Sequence, residues 1–518
     1  MREMHRLPGA FGGKPWSWTC FFGTCCSSSA SNSETSMTSE VRRKLERQRV
    51  ENKLDISTLL LAPDPTRPVA QLYKLVERIG RGSYGSVWLA ESIRSGESRA
   101  IKLVQKSRIN RGLQMDALQI EIEAMVRLDH PNVLKLFEYF EDSGYIYFVT
   151  EVCTGGDFTS LSPDNDREEV RLLFRDLVLA LAYCHDYGVV HRDLKLENCL
   201  LKESPQRRVT KVIDFGLAAI HTPGGADEWM YDLVGTKYYM APEVIDTSCP
   251  YGTKCDMWSV GVLLYIVVTG DHPFASNALK LKTKQLFAAI SKKDVRKEPL
   301  RKSQVDDCPL REFIFGLLVK DPEQRWSAQQ ALVQQWLSEA DEKTPKRHSR
   351  HSVQCAIANA ESFAGLQRFQ KAMLTVAVNN MESQEVDALR DAFMDFDIER
   401  NGRLSKDEFK QGLDRYGLDM SADDIDSTFS ALDADGTGKI NYTEWLAAAI
   451  KPSEITSEKV IREVFDFFDI DGTGKISRDE LCQVLGDEAA EMVRIDGDES
   501  GDGRLSFYDF RKMMLEIT

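Results

Sequence analysis

The chain has 518 residues, of which 42% are hydrophobic and 28% charged, a composition typical of about two to four folded domains rather than of a disordered protein. Its net charge of −15 is concentrated from Met381 onward, where 34 acidic residues stand against 16 basic ones, which favours cations and basic partners and argues against nucleic acid as a ligand. The eleven cysteines form no C-x-x-C pair, and no apolar run reaches the roughly 20 residues of a membrane span or forms the core of a signal peptide, so we expect a cytoplasmic protein with reduced thiols.

Residues 1–65 are predicted to form a disordered extension, because the serine-rich run Ser27–Ser33 offers nothing that a core needs. The second residue is not glycine, which excludes myristoylation at this start. Cys20, Cys25 and Cys26 lie beside two phenylalanines and suit palmitoylation, although plain free thiols explain them equally well. Membrane association through this cluster is therefore an open alternative.

A glycine-rich turn follows the first β-like segment. Gly80, Gly82 and Gly85 form a G-x-G-x-x-G pattern, in which backbone amides can approach a polyphosphate without a Cβ in the way. Dinucleotide sites share the pattern but continue into a helix, whereas residues 86–90 here are typical of a strand. Lys102 follows on a later strand, at the spacing expected of a contact to the α- and β-phosphates.

A second pattern reads His-Arg-Asp-Leu-Lys-Leu-Glu-Asn. Phosphoryl transfer needs a carboxylate near the acceptor hydroxyl, a cation on the transferred phosphate and a metal ligand, and Asp193, Lys195 and Asn198 supply these in order. Asp214, in an Asp-Phe-Gly triplet, adds a carboxylate for magnesium, and residues 241–243 form an Ala-Pro-Glu triplet. Each triplet alone occurs by chance, but the whole ordered set is specific.

From Tyr73 to Leu337 the chain resembles the eukaryotic protein kinases, motif by motif. The resemblance implies an α+β, two-lobed fold that binds ATP and transfers its γ-phosphate to protein, with Asn198 and Asp214 as the Mg²⁺ ligands. Lys195, two residues after the catalytic aspartate, is the pattern of the serine/threonine class.

The same resemblance assigns further roles. Glu121 is the expected helix partner of Lys102, with Glu123, on a different helix face, as the alternative. Thr236 is expected to contact Asp193. The remaining expected nucleotide contacts are the adenine sandwich, the residue guarding the back pocket, the hinge and the acid near the ribose, which are Val87, Ala100, Leu200, Thr150, Glu151 to Cys153 and Asp157.

Asp232 lies nine residues before Ala241, where many kinases carry a threonine whose phosphate pairs with the arginine preceding the catalytic aspartate, here Arg192. Since Asp232 already carries a negative charge, we hypothesise that activity does not require phosphorylation at this position. A solvated aspartate is the alternative. Glu243 is predicted to pair with Arg325 as a structural ion pair.

Four acidic loops of twelve residues follow, at 397–408, 433–444, 469–480 and 498–509, and the first three begin 36 residues apart. Calcium in an EF-hand loop takes oxygen ligands from positions 1, 3, 5, 7, 9 and 12, with glycine at position 6. By position, with a backbone carbonyl at position 7, the expected ligands are Asp397, Glu399, Asn401, Arg403, Ser405 and Glu408, then Asp433, Asp435, Thr437, Lys439, Asn441 and Glu444, then Asp469, Asp471, Thr473, Lys475, Ser477 and Glu480, and finally Asp498, Ser500, Asp502, Arg504, Ser506 and Asp509.

Loops two and three match the pattern fully. Glu399 is longer than the usual residue at position 3, and Asp509 is shorter than the usual glutamate at position 12, so we expect weaker calcium binding in loops one and four, or magnesium in loop four. The flanking aromatic residues are predicted to be mostly core, with some lining a groove that calcium exposes: Phe393, Phe396, Phe409, Phe429, Trp445, Phe465, Phe468 and Phe510.

One amphipathic helix is predicted at about 357–379, after a basic linker. Phe363, Leu366, Phe369 and Met373 recur at three- and four-residue steps, the form of a helix that inserts into a calmodulin-like groove. An ordinary connecting helix is the alternative.

The order of kinase, basic junction and four EF-hands resembles the calcium-dependent protein kinases of plants and protists. This implies a kinase domain at 73–337, a linker and autoinhibitory junction at 338–380 and a calmodulin-like domain with two lobes at 381–518. It also implies autoinhibition, in which calcium makes the EF-hands bind the junction that otherwise blocks the kinase. The alternatives are a calcium-responsive scaffold with an inactive kinase fold, and a kinase acting on lipids or small molecules.

Overall fold

The computed structural model describes residues 69–516, apart from 82–84, 94, 110–112, 205–206, 223–228, 304–307, 339–349, 367, 382–383, 435 and 486–502. The predicted N-terminal extension, its cysteine cluster and the basic linker lie outside the described residues.

The N-terminal lobe is a five-stranded antiparallel sheet with the order β1-β2-β3-β5-β4, covered by one long helix. The β-branched and aromatic residues of its strands suit a sheet that is buried against that helix. The strands are β1 (Tyr73–Arg81), β2 (Gly85–Ser92), β3 (Ser98–Gln105), β4 (Leu136–Glu141) and β5 (Tyr145–Thr150), and the helices are α1 (Val69–Leu72) and α2 (Leu113–Arg127).

The C-terminal lobe is mainly helical, and its two longest helices are buried on almost every face, as expected of helices at the centre of a lobe. Its helices are α3 (Arg167–Asp186), α4 (Pro242–Ile245), α5 (Lys254–Thr269), α6 (Thr283–Lys292), α7 (Lys297–Lys302), α8 (Cys308–Leu317) and α9 (Ala328–Leu332). Its short strands form the pairs β6 (Val189–Val190) with β9 (Ala219–Ile220) and β7 (Cys199–Lys202) with β8 (Val209–Val212). We call residues 69–338 the two-lobed domain.

The predicted junction helix is two helices, α10 (Arg350–Ala364) and α11 (Arg368–Asn380), which corrects the single helix expected at 357–379. The break falls at Gly365, since glycine is a poor helix former, and the N–H of Gly365 closes a turn onto Ser362 O at 3.2 Å. We call α10 and α11 the junction helices.

The rest of the chain, which we call the EF-hand domain, alternates helices with calcium-type loops. Its helices are α12 (Gln384–Phe396), α13 (Lys406–Arg415), α14 (Ala422–Leu432), α15 (Tyr442–Ala449), α16 (Pro452–Ile455), α17 (Glu458–Phe468), α18 (Arg478–Leu485) and α19 (Phe507–Glu516). Two-residue strands join loop one to loop two, β10 (Arg403–Leu404) with β11 (Ile440–Asn441), and loop three to loop four, β12 (Lys475–Ile476) with β13 (Leu505–Ser506).

Residues at loop positions 9 and 12 also start the following helices. Ser405 and Glu408 form a reciprocal capping box at α13, and Asn441 and Glu444 form one at α15. The residue types that suit calcium therefore also fix where these helices begin.

Separate hydrophobic clusters underlie the two parts of the chain. One fills the C-terminal lobe and its contact with α2, and another combines the junction helices with the helices of the EF-hand domain. This architecture confirms the predicted α+β fold class. Within the described residues, no helix has both the length and the apolar character needed to cross a bilayer.

Candidate active site and calcium loops

A cleft with about 560 Å³ of open space, including solvent at its mouth, lies between the N-terminal sheet and the C-terminal lobe. Its walls bring together residues from the sheet, α2, the connection after β5, β7 and the Asp-Phe-Gly triplet. The lining residues are Ile79, Val87, Ala100, Lys102, Glu121, Met125, Leu134, Phe148, Thr150, Glu151, Cys153, Leu200 and Asp214.

The sequence prediction lacked four of these residues: Ile79, Met125, Leu134 and Phe148. Two of them had a readable signal. Met125 lies four residues after Glu121 and so on the same helix face, and Phe148 alternates with Thr150 along β5.

Gly85, the last glycine of the glycine-rich pattern, begins β2. A Cβ on Gly85 would lie 1.5 Å from the carbonyl oxygen of Leu103, so only glycine fits this close approach of two strands. Gly80 is buried at the end of β1, and Gly82 lies outside the described residues.

Lys102 Nζ forms an ion pair with Glu121 Oε1 at 2.5 Å. Glu123, the alternative partner, instead binds Arg127, one turn further along the helix, at 2.5 Å. Burial raises the pKa of Glu121, as does the nearby Asp214, while the ammonium of Lys102 opposes both. The ion pair holds the ammonium of Lys102 on the wall of the cleft, and a bound polyphosphate would need such a cation.

The catalytic pattern converges on Asp193, whose carboxylate is buried. Its Oδ2 accepts from Lys195 Nζ at 2.7 Å, and its Oδ1 accepts from Thr236 Oγ1 at 2.6 Å. The amide of Asn198 donates from Nδ2 to the carbonyl oxygen of Asp193 at 2.9 Å. A carboxylate, a cation and a hydroxyl donor therefore share one site.

Asn198 and Asp214 have the donor set that magnesium prefers. Because Nδ2 of Asn198 is directed at Asp193, its Oδ1 is the atom available to a cation, and the carboxylate of Asp214 supplies the hard oxygen that Mg²⁺ takes in proteins. Asp214 has a φ of 68°, a left-handed conformation that is unusual outside glycine and common at functional sites.

Sequence reasoning missed Asp256, a buried residue of α5 that holds the catalytic turn. Its carboxylate accepts from the backbone N–H groups of His191 and Arg192, both at 2.9 Å, and contacts His185 Nε2 at 2.9 Å. Burial opposes ionisation, but the hydrogen bond and charge of His185 hold the pKa of Asp256 below its ordinary value. Since Arg192 has a φ of 63°, this support stabilises the strained turn before Asp193.

Glu151, predicted to belong to the hinge, is a lining residue of the cleft whose carboxylate is bound by two lysines. The carboxylate binds Lys202 at 2.8 Å and Lys211 at 2.7 Å. Burial alone would raise the pKa of Glu151, but these two ammonium groups hold it far below its ordinary value. Asp157 caps a short 3-10 helix through Thr159 N at 2.8 Å and is not a lining residue of the cleft.

The activation segment is held by two ion pairs. Arg192 Nη1 lies 3.3 Å from Asp232 Oδ2, although the Asp232 side chain is 71% exposed. The predicted pair of Arg325 with Glu243 is formed at 2.5 Å and fully buried on the arginine side.

The third calcium loop has the geometry of a cation site. Ligand oxygens of Asp469, Asp471 and Glu480 all lie within 4.8 Å of one another. Asp469 is oriented by the N–H groups of Thr473 and Gly474, both at 2.9 Å. Burial, together with the neighbouring carboxylate of Glu480, raises the pKa of Asp469, as expected where a cation is needed to balance charge.

Loops one and two repeat this hydrogen bonding. At position 1, Asp397 and Asp433 each accept from two backbone N–H groups of their loop. At position 12, Glu408 and Glu444 each accept from the N–H at position 9. The backbone therefore orients the same carboxylates that were predicted to bind the ion.

The two unusual predicted ligands, Glu399 and Asp509, differ in their hydrogen bonds. Glu399 Oε2 accepts from Asn401 Nδ2 at 3.0 Å, so its longer side chain bonds within the loop. Asp509 accepts from Ser506 N at 3.0 Å, as the longer glutamates do. The predicted ligands outside the described residues are Asp435, Asp498, Ser500 and Asp502.

The junction helices are packed inside the EF-hand domain. Phe363, Phe369 and Met373 are buried there, and Leu366, at the break, is half-buried. The Phe369 ring centroid lies 5.4 Å from that of Phe468. The aromatic residues predicted to be core are all buried.

Contacts between the EF-hand domain and the two-lobed domain were not predicted. Arg403 Nε donates to Tyr187 OH at 2.5 Å in the C-terminal lobe, and Lys459 Nζ binds Glu97 at 2.7 Å in the N-terminal lobe. Because the paired residues are more than 200 positions apart in the chain, no local pattern carries such a signal.

Comparison with known proteins gives family matches for both parts. A protein kinase domain matches residues 73–337, an EF-hand domain pair matches 386–450, and an EF-hand domain matches 460–489. The chain is 31% identical over 468 residues to calcium-dependent protein kinase 20 of Oryza sativa subsp. japonica, covering 88% of this chain and 82% of the relative. It is 30% identical to calcium-dependent protein kinase 8 of Arabidopsis thaliana over 472 residues, with 88% and 85% covered, and 30% identical to calcium-dependent protein kinase 2 of Zea mays over 457 residues, with 86% of each covered.

Proposed function

The chain belongs to the calcium-dependent protein kinase family, and from this premise we propose that calcium in its EF-hand loops activates it by holding the junction helices away from the cleft. The enzyme is a calcium-dependent serine/threonine protein kinase. We place its kinase domain at 73–337, its junction at 338–380 and its EF-hand domain at 381–518.

One observation carries the proposal: Phe369 and Met373 are buried among EF-hand aromatics while the Lys102–Glu121 ion pair is formed. A junction helix bound in this groove is not available to block the cleft. Calcium shifts the equilibrium by its higher affinity for the state in which the EF-hands bind the junction, and only by that difference.

The catalytic groups suit transfer of the γ-phosphate of ATP to a protein hydroxyl. The serine or threonine oxygen attacks the γ-phosphorus, the bond from phosphorus to the β–γ bridging oxygen breaks, and ADP leaves. The hydroxyl proton passes to the carboxylate of Asp193, while Lys195 stabilises charge on the transferred group. Asn198 and Asp214 would hold Mg²⁺, which supplies charge neutralisation on the phosphates when bound.

For nucleotide binding we propose the residues predicted from the sequence. Lys102 binds the α- and β-phosphates, and the glycine turn covers them. The adenine packs between apolar residues and bonds to the backbone of residues 151–153, because the Glu151 side chain is committed to Lys202 and Lys211. The apolar and flanking positions are Val87, Ala100, Leu200, Thr150 and Asp157.

Membrane association is a separate proposal, through acylation of Cys20, Cys25 and Cys26. Two acyl chains anchor a protein stably, whereas one gives reversible binding. Labelled palmitate is expected in the wild-type chain and not in a variant with all three cysteines changed to serine. Equal labelling of both, or of neither, contradicts it.

The test of the proposed function is phosphate transfer to a serine peptide in Mg-ATP across a calcium titration, with Asp193→Asn as the control for contaminating kinases. We expect transfer to rise with calcium. Equal rates in chelator and in excess calcium would falsify the proposal. The scaffold alternative is disfavoured, because the residues it would have to lose, Lys102, Asp193, Asn198 and Asp214, are all present.

A further inference from the structure

The first EF-hand loop lies directly against helix α3 of the two-lobed domain. A Cβ on Gly402, at loop position 6, would lie 2.3 Å from Tyr183 Cδ2 and 2.9 Å from His130 Cδ2. The other three loops also have glycine at this position, and there a Cβ would meet no described atom within 4 Å: Gly438, Gly474 and Gly503. All four glycines need their positive φ, but only in loop one does the missing side chain also make room for another domain.

Two arginines of loop one reach the same surface from positions whose side chains bind no calcium. The Arg403 guanidinium lies 4.0 Å from the centroid of the Tyr187 ring and donates from Nε to Tyr187 OH at 2.5 Å. Arg400 Nη1 donates to the carbonyl oxygen of Leu332, the last residue of α9, at 3.1 Å. Stacking and a directed hydrogen bond together are specific to the planar guanidinium.

Position 4 of the calcium loops also sets loop one apart from loops two and three. Loops two and three have glycine there with a φ of 68°, at Gly436 and Gly472. Loop one has Arg400 with a φ of 57°, a left-handed conformation that is unfavourable for a residue with a Cβ. The contact of Arg400 with Leu332 O gives a reason for an arginine at a position suited to glycine.

We propose that the first EF-hand loop is a docking site for the kinase domain, in which Arg400, Gly402 and Arg403 bind the surface formed by Tyr183, Tyr187 and Leu332. The inference rests on the proposed function, because it names the contact that joins the calcium-loaded EF-hand domain to the kinase. The carbonyl of Arg403 is an expected calcium ligand and its side chain is a docking contact. Calcium binding in loop one therefore raises the equilibrium constant of docking, and docking raises the affinity for calcium by the same factor.

The experiment uses the full chain and two readouts. Hydrogen exchange of the amides of residues 183–188 reports docking without any need for catalysis, and the calcium concentration for half-maximal phosphate transfer reports the functional link. The test variants are Arg403→Ala, which keeps the backbone carbonyl ligand, and Arg403→Lys, which keeps the charge but not the planar group. Lys410→Ala is the matched control, since it removes an exposed positive charge from the helix after the same loop.

We expect both Arg403 variants to lose calcium-induced protection at residues 183–188 and to need about fivefold more calcium or higher. Lys410→Ala is expected to match the wild type. Tyr187→Phe, which removes only the hydroxyl, should add little to Arg403→Ala in the double variant, because the two groups act together. The docking proposal is overturned if Arg403→Ala keeps the wild-type protection from hydrogen exchange at residues 183–188, or if Lys410→Ala loses as much of that protection as Arg403→Ala. Loss of protection in a chain whose activity ignores calcium supports docking and contradicts the proposed function.

Discussion

The backbone N–H of Thr443 donates to Oδ2 of Asp129 at 2.8 Å, so a residue of the kinase domain holds the first turn of α15. Asp129 lies two residues after α2, the helix of Glu121, and Thr443 precedes Glu444, the last expected ligand of the second loop. An N–H in the first turn of a helix has no partner within that helix, so a carboxylate there is stabilising. The contact joins the second calcium loop to the turn that follows α2, the helix that carries Glu121 of the Lys102–Glu121 ion pair.

Asp129→Ala is therefore expected to weaken activation by calcium. Losing a helix cap typically costs about 1 kcal/mol, which corresponds to about a fivefold higher calcium concentration for half-maximal activity. Calcium titration of phosphate transfer measures it. Asp294→Ala, at an exposed site, is the control. An unchanged midpoint in Asp129→Ala would show that this bond carries no coupling.

The ion pair of Arg192 with Asp232 predicts a small effect of Asp232→Ala. Because Asp232 is mostly exposed, the pair contributes no more than about 1 kcal/mol, and we expect turnover to fall by at most about fivefold. Asp232→Glu should restore most of the loss. The turnover rates of the wild type and both variants are measured by steady-state kinetics on dephosphorylated enzyme. If Asp232→Ala has the turnover rate of the wild type, the charge at this position has no role.

A substitution in the junction helices, Phe369→Ala, is expected to have a larger effect on activity than Asp232→Ala. Phe369 packs edge-on against Phe468 and Phe510, at centroid distances of 5.4 and 6.2 Å, and truncating a buried phenylalanine costs about 3–5 kcal/mol. Phe369→Ala should therefore shift activation to much higher calcium, since the state that binds the junction loses this contact. Glu361→Ala, on an exposed part of α10, is the control. Equal calcium midpoints for the two variants would rule out binding of this aromatic as the activating step.

The features that the sequence predicted are those whose information lies within one element or one short motif. The carboxylates of each calcium loop and the apolar residues of the junction follow from local spacing, whereas the Lys102–Glu121 pair follows from the resemblance of the motifs to the protein kinases. Asp256 and Tyr187 act through residues far away in the chain, so only the folded structure reveals their roles. The break at Gly365 was missed because three- and four-residue spacing continues across it.

Loop three allows a direct test of calcium binding. Glu480 supplies the position-12 carboxylate beside Asp469 and Asp471, and Glu480→Gln removes one of the charges that attract the ion. We expect one binding site to weaken strongly in equilibrium calcium binding, and the midpoint of activation to rise. Glu408→Gln should change activation less, because loop one is expected to bind calcium more weakly. The reverse order of effects would contradict the assignment of loop three as a principal site.

The buried cluster behind the hinge predicts a pH dependence of stability. The pKa of Glu151 is held far below its ordinary value by Lys202 and Lys211, so its stabilising effect is complete above about pH 4.5 and is lost as the pH falls toward the lowered value. Glu151→Gln leaves the ammonium groups of buried Lys211 and half-buried Lys202 without their counter-charge, which costs about 3–5 kcal/mol at neutral pH.

The measurement is the free energy of unfolding of wild type and Glu151→Gln from pH 7 to pH 3. The difference between them should be constant down to about pH 5 and should shrink below about pH 4.5, since protonated Glu151 resembles glutamine. Glu361→Gln, at an exposed site, should differ from the wild type at no pH. A difference between wild type and Glu151→Gln that does not change across this range would mean that Glu151 titrates like an exposed carboxyl and that the ion pairs behind the hinge contribute no net stability.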